Sequence, residues 1–332
     1  MPKSDVFGQN DVMNGDAPHT LGLLLIEGFA LMSYASIIEP YRAANALAKR
    51  KLYQWVHLSP DGRPVTSSNG VTIAPDKRLD DKTSCDAVFV IAGGNPATFA
   101  DSKTFAWLRR LASRNVTLVG VSGGPFLLAK AGLLDDHRMT IHWDHWPAFV
   151  EAFPLLRIES SLYVIDRKRV TCAGGIAGLD LTIELIEREQ GHALASQVSE
   201  WLIGAKPRAA EAPQRPSLRD RYGVNDDRLL KTLAEMEAAI DNVKSRDELA
   251  RIVGLSVRQL ERLFVNLLGR TFHRTYLEIR LAQAAQLLTK TGMSATEVAL
   301  ACGFRSSSHF SRAFADQYGL SPTAHRARSR NP

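Results

Sequence analysis

The chain has 332 residues, with 41 Lys plus Arg against 35 Asp plus Glu for a net charge of +6, and its sequence pI lies near 9.3. That length exceeds one ordinary hydrophobic core, so two domains are expected. With 45% apolar and 23% charged residues, the composition excludes a chain that is mainly disordered, collagen-like or coiled coil. Cys85, Cys172 and Cys302 lie far apart with no CxxC spacing, which argues against a disulfide framework or zinc knuckle and suits a reducing cytoplasm. Residues 1–19 are polar and acidic and are expected to form a disordered tail. They contain no apolar leader core, and no window approaches about 18 consecutive apolar residues, so neither export nor a membrane span is expected.

The charge is uneven. Residues 1–205 carry a net −2 and residues 206–332 a net +8. A basic last third points to a partner with phosphates, although it also fits an ordinary solvated surface. Between the two regions, Pro207, Pro213 and Pro216 interrupt both helix and strand patterns, so 206–217 reads as a linker between a domain at 20–205 and another at 218–332.

From Thr20 onward, short apolar β-rich runs alternate with helical patterns. The runs are Leu21–Ile26, Trp55–Leu58, Ala87–Ala92 and Val116–Val121, and the helical segments are 31–49, 99–114 and 125–131. Such alternation predicts an α/β doubly wound, mostly parallel sheet, whose ligands gather beyond the carboxyl ends of the strands. The residues just past those ends are Glu27-Gly28, Gly93-Gly94-Asn95 and Ser122-Gly123-Gly124. The segment from Gly120 to Gly124 matches a G-x-S-x-G elbow, a sharp turn that projects a side chain over a helix start. Its glycines permit the turn and the approach of backbone N–H groups to an anion. His142 and Asp144 follow, so a serine, a histidine and a carboxylate occur in order. Two other readings stay open: a tight packing turn with Ser122 capping the helix, and a ligand pocket without chemistry.

Residues 20–203 resemble the class I glutamine amidotransferase-like, or PfpI-like, domains found at the front of some transcription regulators. The residues that carry the resemblance include Ala35 through Asn45, Ala92-Gly93-Gly94, Ala129 through Asp135, His142-Trp143 and Thr171 through Gly175. Enzymatic members carry Cys at the elbow, where this chain has Ser122. A serine hydroxyl needs a well-aligned base where a thiol ionises readily, which weakens an amidase reading and favours a binding pocket. Relatives of this kind sense quaternary amines or basic amino acids, as regulators of carnitine, betaine and arginine catabolism do. The resemblance implies an effector site at Gly93, Gly94, Ser122, Gly123, His142 and Trp143. Trp143, Trp146 and Phe149 could supply an aromatic wall for a cation, or simply pack a corner.

The basic third contains an internal repeat. Glu248 through Leu255 lies over Glu297 through Phe304, offset by 49, and Leu260 through Phe264 lies over Phe310 through Phe314, offset by 50. The second turn therefore holds one extra residue. In each copy a Ser-x-x-Glu capping box (Ser245 to Glu248, Ser294 to Glu297) opens a helix, Gly254 or Gly303 makes the turn, and a second helix follows. Helix, glycine turn, helix is a DNA-reading arrangement in which the second helix enters the major groove. Leu260, Leu263, Phe264, Phe310 and Phe314 are expected on the buried stripe, and Phe272–Lys290 should be a rigid helix joining the two units. This all-α domain with two helix-turn-helix units is similar to the AraC family of transcription regulators over residues 226–328. The resemblance implies DNA contacts from Arg258, Gln259 and Arg262 in the first unit and Ser307, Ser308, His309 and Arg312 in the second.

The reading that results is a cytoplasmic, effector-responsive transcription regulator and not an enzyme. Its expected partners are double-stranded promoter DNA, a small-molecule effector, a second copy in a homodimer, and RNA polymerase, with no cofactor, metal or membrane. The alternatives are a Ser/His hydrolase or amidase with an appended DNA-binding domain, and a constitutive DNA-binding protein whose front domain only dimerises.

Overall fold

The computed structural model describes residues 17–80, 82, 84–203 and 207–330. The tail expected over 1–19 lies outside the described residues up to residue 16, and His19, counted with it, instead opens the first strand. The chain divides into two compact units, residues 1–214 and 215–332.

In the first unit the elements run β1 (His19–Leu25), α1 (Leu31–Ala48), β2 (Tyr53–Ser59), β3 (Val65–Thr66), β4 (Thr72–Ile73), β5 (Lys77–Arg78), β6 (Ala87–Ala92), α2 (Ser102–Ser113), β7 (Thr117–Ser122), α3 (Gly124–Lys130), α4 (Trp146–Ala152), β8 (Tyr163–Asp166), β9 (Arg169–Cys172), α5 (Ala177–Gln190) and α6 (His192–Trp201). Seven strands form one sheet in the order β5-β2-β1-β6-β7-β9-β8. All its pairings are parallel except β8 with β9. Every residue of β6 and β7 is buried, as continuous apolar runs require when helices cover both faces. Alternation along β1 sends Leu23 and Leu25 to a core shared with Ile37 and Tyr41 of α1, Leu181 and Ile186 of α5 and Val198 of α6. Leu24 turns to the other core, with Trp107 of α2, Phe126 of α3 and Phe149 of α4. The two faces are therefore filled independently.

In the second unit the helices are α7 (Leu218–Tyr222), α8 (Asp227–Ala238), α9 (Arg246–Ile252), α10 (Val257–Leu268), α11 (Phe272–Lys290), α12 (Ala295–Ala301), α13 (Ser307–Tyr318) and α14 (Pro322–Arg330). Capping boxes at Ser245, Ser256 and Ser294 start α9, α10 and α12. Gly254 and Gly303 turn the chain at φ +67° and +70°, and two residues, Phe304 and Arg305, separate Gly303 from the Ser306 cap of α13, where Leu255 alone separates Gly254 from the Ser256 cap of α10. There are two small cores. One joins Leu249, Leu260, Phe264, Phe272 and Tyr276; the other joins Leu281, Leu288, Val298, Phe310 and Phe314. α11 supplies both, its first turns to one and its later turns to the other. One residue expected in the stripe departs from it: Leu263 is only partly buried against its core. It sits on the flank of its helix, where the small core leaves it half covered.

Among the described residues no helix is long and apolar enough to cross a membrane, and no group of three His, Cys, Asp or Glu side chains is arranged to hold a metal ion.

Candidate effector site and nucleic-acid interface

Four strand ends converge on the elbow. β7 stops at Ser122, whose φ of +58° lies in a region that costs a residue with a Cβ roughly 1–3 kcal/mol. A buried serine held there is placed for where its side chain goes. Ser122 pairs in register with Ala92 at the end of β6, and the Gly123 N–H donates to the Ala92 carbonyl at 2.9 Å. That donor is therefore spent inside the turn, which corrects the expectation that it faces an anion. Gly124 is required by packing, since a Cβ there would lie 1.9 Å from the Val90 carbonyl oxygen. Gly93 allows the β1 and β6 loops to touch: its Cβ would meet Gly28 O at 2.6 Å. The neighbouring Gly94 has φ +56°.

β9 closes the other side. The Gly175 N–H donates to Ser33 Oγ at 2.7 Å, and Ser36 Oγ donates to the Gly175 carbonyl at 2.7 Å. Sequence reasoning missed these two serines. Their signal was two hydroxyls on the buried face of α1, Ser33 being 1% exposed.

His142 reaches the elbow through its backbone, its N–H donating to Ser122 O at 3.4 Å. Its Nδ1 accepts the Asp144 backbone N–H at 3.2 Å. A Ser-His-Asp relay needs Nδ1 to carry a proton and donate it to a carboxylate, so the hydrogen bond seen here opposes the hydrolase arrangement. Cys172 ends β9 with its thiol fully buried, and burial pushes that thiol up to about 12, which keeps it protonated and unreactive. The His142 and Trp143 rings lie 5.5 Å apart at 32°, and both residues are half-buried. Phe149 belongs to the core, edge-on to Phe126 at 5.4 Å, and provides no wall. The structure thus brings Gly93, Gly94, Ser122, Gly123, His142 and Trp143 to one end of the sheet. A separate groove of about 980 Å³ opens beside α5, α6 and residues 207–209, lined by Asp180, Glu184, Glu187 and Arg208 among others, and includes none of those six.

In the second unit α10 and α13 are the second helices of the two repeats. Arg258, Gln259 and Arg262 are exposed on α10, and Ser308, His309 and Arg312 on α13. Gln259 has a prior commitment: its Oε1 accepts the Ser256 N–H at 2.9 Å, completing the cap of its own helix. Ser307 is half-buried and bonds Thr296 of α12 at 3.4 Å. Behind this surface stands Arg280 of α11. Its Nε donates to the Cys302 carbonyl at 2.8 Å, and its guanidinium lies 4.0 Å from the centre of the Phe304 ring. It thereby holds the second turn by satisfying a helix-end carbonyl and stacking on the turn's aromatic residue.

Comparison with known proteins agrees with both units. Residues 249–328 match the helix-turn-helix domain family, and residues 25–188 match the DJ-1/PfpI family. The chain is 44% identical to the HTH-type transcriptional regulator GlxA of Rhizobium meliloti over 93% of its own length and 96% of that protein. It is 41% identical to the HTH-type transcriptional regulator CdhR of Pseudomonas aeruginosa over 92% of its length and 90% of that protein. A crystal structure of an AraC family transcriptional regulator from Pseudomonas putida is similar at TM-score 0.51 and 27% identity, covering 56% of this chain and 100% of that one. The chain therefore belongs to the AraC-type transcriptional regulators that carry a DJ-1/PfpI domain in front, and it is a DNA-binding regulator rather than an enzyme.

Proposed function

We propose that the front unit binds a small amino-acid-like or quaternary-amine effector beside Gly93, Gly94, Ser122, Gly123, His142 and Trp143, and that its occupancy changes how the second unit engages promoter DNA. The observation that carries this reading is Ser122, buried at φ +58° where four strand ends converge, with the His142 backbone N–H on its carbonyl and the His142 and Trp143 rings 5.5 Å from each other. A strained residue at the carboxyl edge of a parallel sheet is where a ligand is expected, and an indole such as that of half-buried Trp143 attracts a cationic headgroup. Base contacts come from Arg258 and Arg262 of α10 and from Ser307, Ser308 and Arg312 of α13, with Gln259 and His309 beside them. The protein acts in the cytoplasm as a homodimer and activates transcription through RNA polymerase.

Thermal unfolding of the full chain in the presence of betaine, carnitine or arginine tests the effector class. A binder raises the melting temperature by mass action, and Ser122→Trp should abolish the rise by filling the site. A rise that survives Ser122→Trp would move the site elsewhere. Hydrolysis of a small amide or ester by the parent, lost in Ser122→Ala, would restore the hydrolase reading.

A further inference from the structure

The chain that joins the two units was expected to be a plain linker. Its prolines, Pro207, Pro213 and Pro216, offer no N–H and deny it regular structure. Residues 208–214 are nevertheless fastened to the first unit at three points. The Arg208 backbone N–H donates to Asp180 Oδ1 at 2.8 Å, and its guanidinium donates to Oδ2 at 3.1 and 2.6 Å. The Leu162 N–H donates to the Ala210 carbonyl at 2.7 Å. The third point is Gln214, the last residue of that unit.

Gln214 uses both ends of its side-chain amide. Nε2 donates to Thr140 Oγ1 at 2.9 Å, the Ile141 carbonyl at 3.0 Å and the Ser161 carbonyl at 2.8 Å. Oε1 accepts the Trp143 backbone N–H at 2.8 Å. Only one orientation of the amide works, because the reverse would set an oxygen against two carbonyls and an NH₂ group against an N–H. The Nε2 end grips a fixed floor. Thr140 is fully buried, takes the Thr171 hydroxyl of β9 with its N–H at 2.9 Å and donates its own hydroxyl to Ser161 O at 2.8 Å. The Oε1 end grips the loop that carries His142 and Trp143 beside the elbow.

We infer that Gln214 is the positioning residue that couples the elbow to the DNA-binding unit, an inference that rests on reading the elbow as the effector site. An occupant that moves Trp143 pulls on Oε1, and the next residue along the chain, Arg215, already belongs to the second unit. The side chain converts a change in one loop into a change in where the DNA-binding unit is tethered. Coupling between two sites is reciprocal, so whatever the elbow does to DNA binding, DNA must do to the elbow by the same factor.

That reciprocity permits a test without any effector. Amide exchange of the peptide spanning residues 139–149 is followed by mass spectrometry in the full chain, with and without a saturating duplex selected from random DNA. The parent should show a change in exchange on adding DNA, of about fivefold or more, as typical coupling implies. Gln214→Ala should still bind the duplex and lose that change. Gln214→Glu keeps an acceptor for the Trp143 N–H but sets a carboxylate against the Ile141 and Ser161 carbonyls, and it should also uncouple. An unchanged peptide in the parent, or a response that persists in both variants, overturns the inference. If betaine, carnitine and arginine all fail to bind, the effector class falls while this test stands, since it uses DNA alone.

Discussion

Gly174 and Ser122 stand so close that a Cβ added to the glycine would lie 2.6 Å from the serine's own Cβ. The end of β9 is thus packed directly on the elbow, and Gly174 is also held at φ +79°. Gly174→Ala should destabilise the first unit through both strain and collision, by about 3 kcal/mol or more. Gly175 has φ +56° with nothing within 4 Å of a built Cβ, so Gly175→Ala should cost only the conformational part, about 1–2 kcal/mol. Denaturant unfolding of the two variants measures the difference, and equal losses would show that the approach at Gly174 yields without cost.

Arg280 makes a second prediction. Removing it strips the Cys302 carbonyl of its donor and the Phe304 ring of its cation. Arg280→Ala should destabilise the second helix-turn-helix unit by about 1–3 kcal/mol, and Arg280→Lys should recover only part, because an ammonium lacks the planar fork that stacks and donates at once. The readout is faster amide exchange across residues 295–318, with residues 246–268 little changed.

For DNA, Arg262→Ala should relax base preference at one operator position and cost about 1–3 kcal/mol of specific affinity, as loss of a bidentate base contact does. Equal loss on specific and random duplexes would make Arg262 a phosphate contact. Arg246 pairs with Glu261 at 2.9 Å near the surface, and Arg246→Ala should change stability by less than about 1 kcal/mol. Binding of either protein should weaken steeply with salt, because the basic residues displace condensed counterions.

Much of this architecture is legible in the sequence, and the pattern of what is not legible has a physical origin. The apolar runs of β1, β2, β6 and β7, the paired capping boxes and the extra residue in the second turn are local signals, carried by neighbours in the chain. The β8–β9 hairpin escapes because its strands have only four residues each, too short to show a period. α5 buries Asp180 and Thr182 among its apolar residues, so it lacks a clean stripe. Ser33 and Gln214 were missed because their roles depend on partners 142 and 53–74 residues away, which no local spacing reveals. The elbow itself was legible, but the engagement of the Gly123 N–H with Ala92 was not, since it needed the register of β6 against β7.

A half-buried carboxylate gives the pH prediction. Tyr53 donates its hydroxyl to Glu189 at 2.7 Å, and burial pushes Glu189 up to about 7 against the pull of that hydrogen bond. A carboxyl whose folded value exceeds its unfolded one binds more protons when folded, so its contribution to stability falls as pH rises from about 4.5 to 7. Glu189→Gln keeps an acceptor for Tyr53 and removes the partly desolvated charge. It should melt higher than the parent at pH 8, by at most about 2–3 kcal/mol, and the advantage should vanish near pH 5. An advantage independent of pH would assign the effect to packing.

In the proposed function, occupancy of the elbow controls DNA binding by the second unit. That control is tested most directly by the Kd of the full chain for a selected operator duplex, measured with and without betaine, carnitine or arginine, in the parent and in Ser122→Trp. One of these compounds should shift the parent's Kd by about fivefold or more, while Ser122→Trp should bind the duplex at the effector-free level and not respond. An identical shift in parent and Ser122→Trp would contradict it.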